Sequence, residues 1–248
     1  MRRYFLEKYE LEGDLITISG DVFHHIMHVC RRSQGDHFEI LFGDGKAYLV
    51  EVCEHKKKSA KLKIIEEREI PPIKAPYIHL VLSFPKPAVF SSVIEKAVEL
   101  GVKEVIPVVS DFSHFKTLDH PGMQKQDRWQ KIVLSACQQS GRGEVMSIAV
   151  PQSLAQFLES FNRNGPVAGL FAYEGESAIS WQEALDDLKK QQPQDIYLFV
   201  GSEGGYSAKE IQAFQQVGLQ AMSMGGQVLR VETACVALLS SLKYEFRL

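Results

Sequence analysis

The sequence predicts an α/β protein in two parts, a small β-barrel followed by a larger domain built on a parallel sheet. Three observations carry this. Short strand-like runs separated by Gly turns fill residues 1–70. The stretch REIPPIKAP, Arg68–Pro76, then brings three prolines and little periodicity, which reads as a linker. Beyond it, apolar runs alternate with amphipathic helices, the pattern of a parallel α/β sheet. The expected division is 1–70, a linker at 71–76, and 77–248.

In the first part, Arg2–Leu6, Leu15–Ile18, His37–Phe42, Ala47–Glu54 and Ala60–Ile65 read as strands. Gly13-Asp14, Gly35-Asp36 and Gly43-Asp44-Gly45 supply the turns. One helix is expected from Val22 to about Arg32. Many short strands with little helix suggest a barrel.

In the second part the expected strands are Tyr77–Ser83, Glu104–Val109, Val167–Tyr173, Asp195–Val200 and Leu219–Met224. The expected helices are Val89–Leu100, Gln126–Ser140, Leu154–Phe161, Trp181–Lys190, Ser207–Val217 and Glu232–Phe246. Val89, Val93 and Ala97 lie at helical spacing, and Gly101 fits the end of that helix. Ser207 and Glu210 form a capping box, in which each side chain satisfies the other residue's backbone N–H.

Composition narrows the function. The chain has 248 residues, 45% apolar and 24% charged, enough apolar surface to offset chain entropy. No apolar run reaches the roughly 18 residues of a membrane span. The opening MRRYFLEKYELEGD turns polar too early for a secretory signal. The net charge of −3 is not the footprint of a protein that holds nucleic acid by bulk charge. Residues 1–70 carry 12 basic and 13 acidic side chains, so the barrel is not basic overall. Cys30, Cys53, Cys137 and Cys235 form no CxxC pair, and buried free thiols in a reducing cytoplasm are expected. His24 and His28 stand four apart on a helix without a nearby third ligand, so no metal is expected.

Two glycine-rich loops follow strands of the second part. They are Gly201-Ser202-Glu203-Gly204-Gly205-Tyr206-Ser207 and the segment from Met224 to Ala234, MGGQVLRVETA. Such loops at strand ends let backbone groups approach a ligand. Neither has a Walker ending or a GxGxxG pattern. On local physics alone, two turns ahead of capped helices explain them equally well.

The loop pair closely resembles that of the SPOUT class of methyltransferases. It is similar, more narrowly, to the ribosomal small-subunit RNA (16S rRNA) uridine-N3 methyltransferase family. That family's pattern runs Gly-Pro-Glu-Gly-Gly, then Leu-Gly, then Ile/Val-Leu-Arg-x-Glu-Thr-Ala. Glu95–Ser110, Arg128–Arg142 and His24–Asp36 also resemble family segments, so the likeness spans nearly the whole chain. Four positions depart from it: Ser202 stands for Pro, Met224 for Leu, Gln227 for a frequent Arg, and Phe112 for an Arg.

The resemblance implies an α/β trefoil-knot domain preceded by a PUA-like barrel, working as a homodimer with S-adenosyl-L-methionine as cofactor. Phe199, Val200, Gly201, Glu203, Gly204, Gly205, Met224, Gly225, Val228, Leu229, Glu232, Thr233 and Ala234 would hold the cofactor, mainly through backbone. Methylation at N3 requires loss of the imino proton, and the anion spreads its charge to O2 and O4. Arg230 is the expected stabiliser of that charge. Glu203 and Glu232 are candidates for the base, or simply order the loops and cap the last helix. Arg2, Arg3, Arg31, Arg32 and Arg142 are the expected RNA contacts. The run Lys56-Lys57-Lys58 with Lys61 and Lys63 reads as a solvated turn. Two other readings stand beside this one: a knotted methyltransferase for another RNA position, and a non-catalytic RNA-binding assembly factor.

Overall fold

A computed structural model describes residues 2–6, 9–161, 168–175 and 177–248. The chain forms two compact units, Met1–Pro72 with Cys137–Val145, and Ile73–Ala136 with Met146–Leu248. A linear division does not foresee the return of Cys137–Val145 to the first unit. Two glycines permit it. Gly141, at φ +79°, lies so near the Arg3 guanidinium that a β-carbon would overlap it. A β-carbon on Gly143 would stand 2.9 Å from Ile70 Cγ2.

The first unit holds β1 (Arg3–Phe5), β2 (Glu10–Glu12), β3 (Leu15–Ser19), α1 (Gly20–Phe23), β4 (His37–Leu41), β5 (Lys46–His55) and β6 (Ser59–Glu69). Its strands form one sheet in the order β1-β4-β5-β6-β3-β2. β1 pairs with β4 in parallel, and the other pairs are antiparallel. Alternate side chains point to one face, so Ile16 and Ile18, Phe38 and Ile40, Val50 and Val52, and Ala60 and Leu62 share a core. Phe23, Ile26 and Met27 complete it. β1 and β2 do not pair with each other, so the barrel is an open one among the described residues.

Three details differ from expectation. The single expected helix is the short α1 followed by a π-helical turn, His24–Val29, in which the Cys30 N–H reaches the His25 carbonyl at 2.9 Å. Apolar spacing does not distinguish that bonding from an α-helix. β2 has an exposed ELE sequence with no apolar alternation to reveal it. β6 runs to Glu69, so Arg68 belongs to a strand and not to the linker.

The second unit contains β7 (Tyr77–Ser83), α2 (Pro87–Glu99), β8 (Glu104–Val109), α3 (Gln126–Ser140, which continues into the first unit), β9 (Ser147–Ile148), β10 (Gln152–Ser153) and α4 (Leu154–Phe161). It continues with β11 (Ala168–Ala172), β12 (Ile179–Ser180), α5 (Trp181–Gln191), β13 (Asp195–Val200), α6 (Ala208–Gln216), β14 (Gln220–Ser223) and α7 (Val231–Glu245). Val167, the first residue of an expected strand, lies outside the described residues. Every strand pair is parallel, in the order β10-β8-β7-β13-β11-β14-β12, with β9 also on β8. The central strands are buried on both faces, which is why YIHLVLS and DIYLFV read as near-continuous apolar runs.

Local signals set the helices. Pro87 opens α2, and Gly101 follows it at φ +81°. The capping box Ser207/Glu210 forms on α6, and a second, Ser180/Glu183, starts α5. α7 buries Val231, Cys235, Leu238, Leu239 and Leu242 and packs on α2. All four cysteines are free; Cys137 and Cys235 are buried, but Cys30 and Cys53 are only partly so, which corrects the expectation of four buried thiols.

Candidate functional site

The carboxyl ends of β8, β13 and β14 lead into residues 110–113, 201–207 and 224–230. In a parallel sheet, a ligand is expected at such an edge.

The first glycine loop is tied to its surroundings by side chains. Ser202 Oγ donates to the Phe112 carbonyl at 2.6 Å. Glu203 Oε1 accepts from the Lys86 backbone N–H at 3.1 Å, at the start of α2. Ser207 Oγ donates to Asp111 Oδ2 at 2.6 Å, and Glu210 Oε1 accepts from the Asp111 N–H at 2.8 Å. Gly201 packs against Gly205, where a β-carbon would stand 2.9 Å from Gly205 Cα. Gly205 takes φ +68°, a left-handed conformation open to glycine at no steric cost.

Among the described residues the second loop has only local bonds, with Ser223 Oγ donating to the Gly225 carbonyl at 3.1 Å and the Gly225 N–H donating to Ser223 Oγ at 3.3 Å. Gly225 takes φ +123°, and a β-carbon there or on Gly226 would meet nothing within 4 Å. Met224 is exposed and Val228 is 78% exposed. Arg230 is the N-cap of α7, with its carbonyl accepting from Ala234 N–H at 2.8 Å. Its exposed side chain has no ion-pair partner among the described residues. Glu232 lies in the first turn of α7 and favours its N-terminal dipole. Leu229, Thr233 and Ala234 flank this turn at the surface or half-buried.

Phe199 and Val200 are buried strand residues, and the Phe199 ring packs edge-to-face with Phe157, Phe161 and Phe214 in the core. Only their backbones are available to a ligand. Burial pushes the Tyr206 phenol well above its usual range and the Cys235 thiol up to about 12. Both are therefore protonated at neutral pH and are excluded as proton acceptors. The Glu203 carboxylate is engaged as a tie to α2.

The expected RNA residues sit in the first unit in different states. Arg3 and Arg68 grip Glu39, with Arg3 Nε 2.5 Å from Oε2 and Arg68 Nη2 2.8 Å from Oε1. Burial opposes the charge on Glu39, but the bonds from Arg68 and Arg3 outweigh it and lower its pKa. Arg32 lies over the Phe38 ring at 5.8 Å and 4.0 Å from Asp36. Arg142 is half-buried, and burial lowers its pKa. Arg2 and Arg31 are exposed. His24 and His28 have ring centroids 5.3 Å apart with His28 6.1 Å from His55, and no group of three metal-ligating side chains occurs among the described residues.

Sequence reasoning missed the wall formed by Asp111 and Phe112, and a cleft of about 500 Å³ beside it lined by Ser110, Asp111, Lys116, Ser153, Lys209 and Glu210. Only the Ser207–Glu210 spacing hinted at that corner.

The class is that of two-unit α/β proteins, one unit a parallel sheet with glycine loops at its carboxyl edge and the other a small β unit. The RNA methyltransferase domain model matches residues 73–243, and the RNA methyltransferase PUA domain model matches residues 18–65. The chain belongs to the RNA methyltransferase family. It is 29% identical over 259 residues to ribosomal RNA small subunit methyltransferase E of Bacillus subtilis, covering 100% of this chain and 98% of the relative. The Neisseria gonorrhoeae ribosomal RNA small subunit methyltransferase E bound to S-adenosyl methionine superposes with TM-score 0.83 at 25% identity, over 98% of this chain and 97% of the other. A Legionella pneumophila protein solved with its bound cofactor SAM superposes with TM-score 0.82 at 28% identity, over 98% and 96%.

Proposed function

We propose that this protein uses S-adenosyl-L-methionine to methylate N3 of one uridine in 16S ribosomal RNA of the small subunit, in the cytoplasm. The reading includes a homodimer, a trefoil knot in the second unit and a PUA-like RNA module at 1–70. The observation that carries it is Arg230, held as N-cap of α7 with an uncommitted guanidinium, at the end of a loop with open space over Gly225 and Gly226. The likeness to cofactor-bound relatives supports the choice of cofactor.

The loops fit such a group. A β-carbon would meet nothing above Gly225 and Gly226, Met224 and Val228 offer exposed apolar contact, and the Gly201–Gly205 turn presents backbone. These residues would hold the adenosyl part, and the bound cofactor supplies an electrophilic methyl group.

The chain's own part is to expose and stabilise the uracil ring. Extruding the base from its stack costs a few kcal/mol. Loss of the N3 proton leaves negative charge on O2 and O4, and the Arg230 guanidinium stabilises it as an oxyanion-hole donor does. Holding the base in line with the methyl group supplies much of the remaining acceleration.

The test is direct. Small ribosomal subunits lacking the modification are incubated with the protein and methyl-labelled cofactor, then digested to nucleosides. Labelled 3-methyluridine is expected; a different methylated nucleoside overturns the assignment.

A further inference from the structure

Phe112 is a large apolar side chain left 46% exposed at the carboxyl edge of the sheet. A single exposed apolar side chain is ordinary on a protein surface; what sets this one apart is its mount beside the glycine loop. Its mount is rigid. The preceding Asp111 N–H is held by Glu210, and the Phe112 carbonyl is held by Ser202 Oγ at 2.6 Å. The following Ser113 is buried, with its hydroxyl accepting from the Ser110 N–H at 2.9 Å. Beneath it, Gly204 lacks the β-carbon that would stand 2.8 Å from Phe112 Cβ. The backbone that carries the ring is thus tied to the first glycine loop, and the ring lies over Gly204 with much of its surface in water.

The surroundings suit a nucleobase. Asp111 and Glu210 keep their charge, but their oxygens are turned toward the protein by bonds from Ser207 and from backbone N–H groups. Lys116 Nζ sits on the Asp111 carbonyl at 2.6 Å, placing a cation on the same loop. A phenyl ring on a tied backbone has only two side-chain torsions to lose when a flat partner lies on it. We infer that Phe112 is a positioning residue whose ring stacks on the extruded pyrimidine and holds it at the methyl-transfer edge. This rests on the methyltransferase reading above.

Full-length Phe112→Ala, Phe112→Tyr and Phe112→Trp are compared with wild type. Phe112→Ala is expected to keep its melting temperature and its calorimetric affinity for S-adenosylmethionine. Its kcat/KM on unmodified subunits is expected to fall roughly ten- to hundredfold, the scale of one lost base–aromatic stack. Phe112→Tyr and Phe112→Trp are expected to restore most of that loss. Wild-type kcat/KM in the alanine variant, or no rescue by either aromatic replacement, overturns the inference. A parallel loss of cofactor affinity also overturns it, because the ring then belongs to the cofactor pocket. A wild-type control that methylates no ribosomal RNA refutes the underlying function instead, so the two failures are distinguishable.

Discussion

The two glycine loops at the carboxyl edge are built on opposite plans. The first, 201–207, spends its polar side chains on the protein itself: Ser202, Glu203 and Ser207 all bond to residues about 90 or more positions away. Among the described residues the second, 224–230, bonds only to its near neighbours Ser223 and Ala234, and it leaves Val228 and Arg230 in solvent. One loop is a finished wall, and the other keeps its surface and its charge for something else. Polar residues in a glycine loop are therefore poor guides to chemistry until their partners are known. Glu203 resembles a catalytic carboxylate in sequence and acts as a tie in the fold.

That contrast can be broken by substitution. Arg230→Ala is expected to have the largest effect, lowering single-turnover methylation about 10²- to 10³-fold, as for loss of one oxyanion donor. Cofactor affinity measured by calorimetry is expected to change little; equal losses in both would make Arg230 a cofactor-loop residue. Next comes Gly225→Ala. The space is open, so the penalty is backbone strain at φ +123°, on the order of 1–3 kcal/mol. It is expected to weaken cofactor binding without lowering the melting temperature by more than a few degrees. Undiminished affinity would detach the second loop from the ligand.

Glu203→Ala sharpens the other side of the comparison. It removes the acceptor at the start of α2, at about 0.5–2 kcal/mol by analogy with lost helix caps. Thermal denaturation is expected to show that loss, with turnover nearly intact in Glu203→Gln. A hundredfold drop in Glu203→Gln turnover would restore it as the base. The smallest effect is expected at the amino ends of the strands, away from both loops. There His79 Nε2 lies 2.9 Å from Asp195 Oδ1, and Nδ1 lies 3.5 Å from Glu104 Oε2. Burial disfavours the imidazolium, but the neighbouring carboxylates of Glu104 and Asp195 outweigh that and raise its pKa above the ordinary 6.5. A raised folded pKa means the stabilisation is complete below the unfolded value and is lost as pH rises through the folded one. Glu104 has the opposite sign, its pKa lowered chiefly by His79, so its contribution is lost as pH falls through the folded value. The melting-temperature gap between wild type and His79→Phe is expected to narrow as pH rises from about 6 to about 9, with cofactor affinity unaffected. A gap independent of pH would remove the charge from this argument.

Much of the fold is legible where burial is two-sided or a cap is local. DIYLFV at Asp195–Val200 announces a central strand because both faces are covered, and Ser207 with Glu210 announces a helix start three residues apart. The two-residue strands β9, β10 and β12 are not legible, because SI, QS and IS acquire their state only by pairing with distant partners. The same distance hides the site's wall. Ser202 and Phe112 both depart from the family pattern, yet nothing in a linear reading says that one hydroxyl joins them across 90 positions. The glycine loops themselves are legible in composition, but which of them is committed and which is open is a matter of long-range partners.

Glu39 sets a limit on how this protein meets a polyanion. By holding Arg3 and Arg68 on one buried carboxylate, it offsets one of their two positive charges within the protein and fixes both guanidiniums in place. Binding driven by released counterions scales with the phosphates that free cations neutralise. This cluster therefore gives up fewer ions on contact than two free arginines would, and its own share of any hold on RNA is expected to change less steeply with salt.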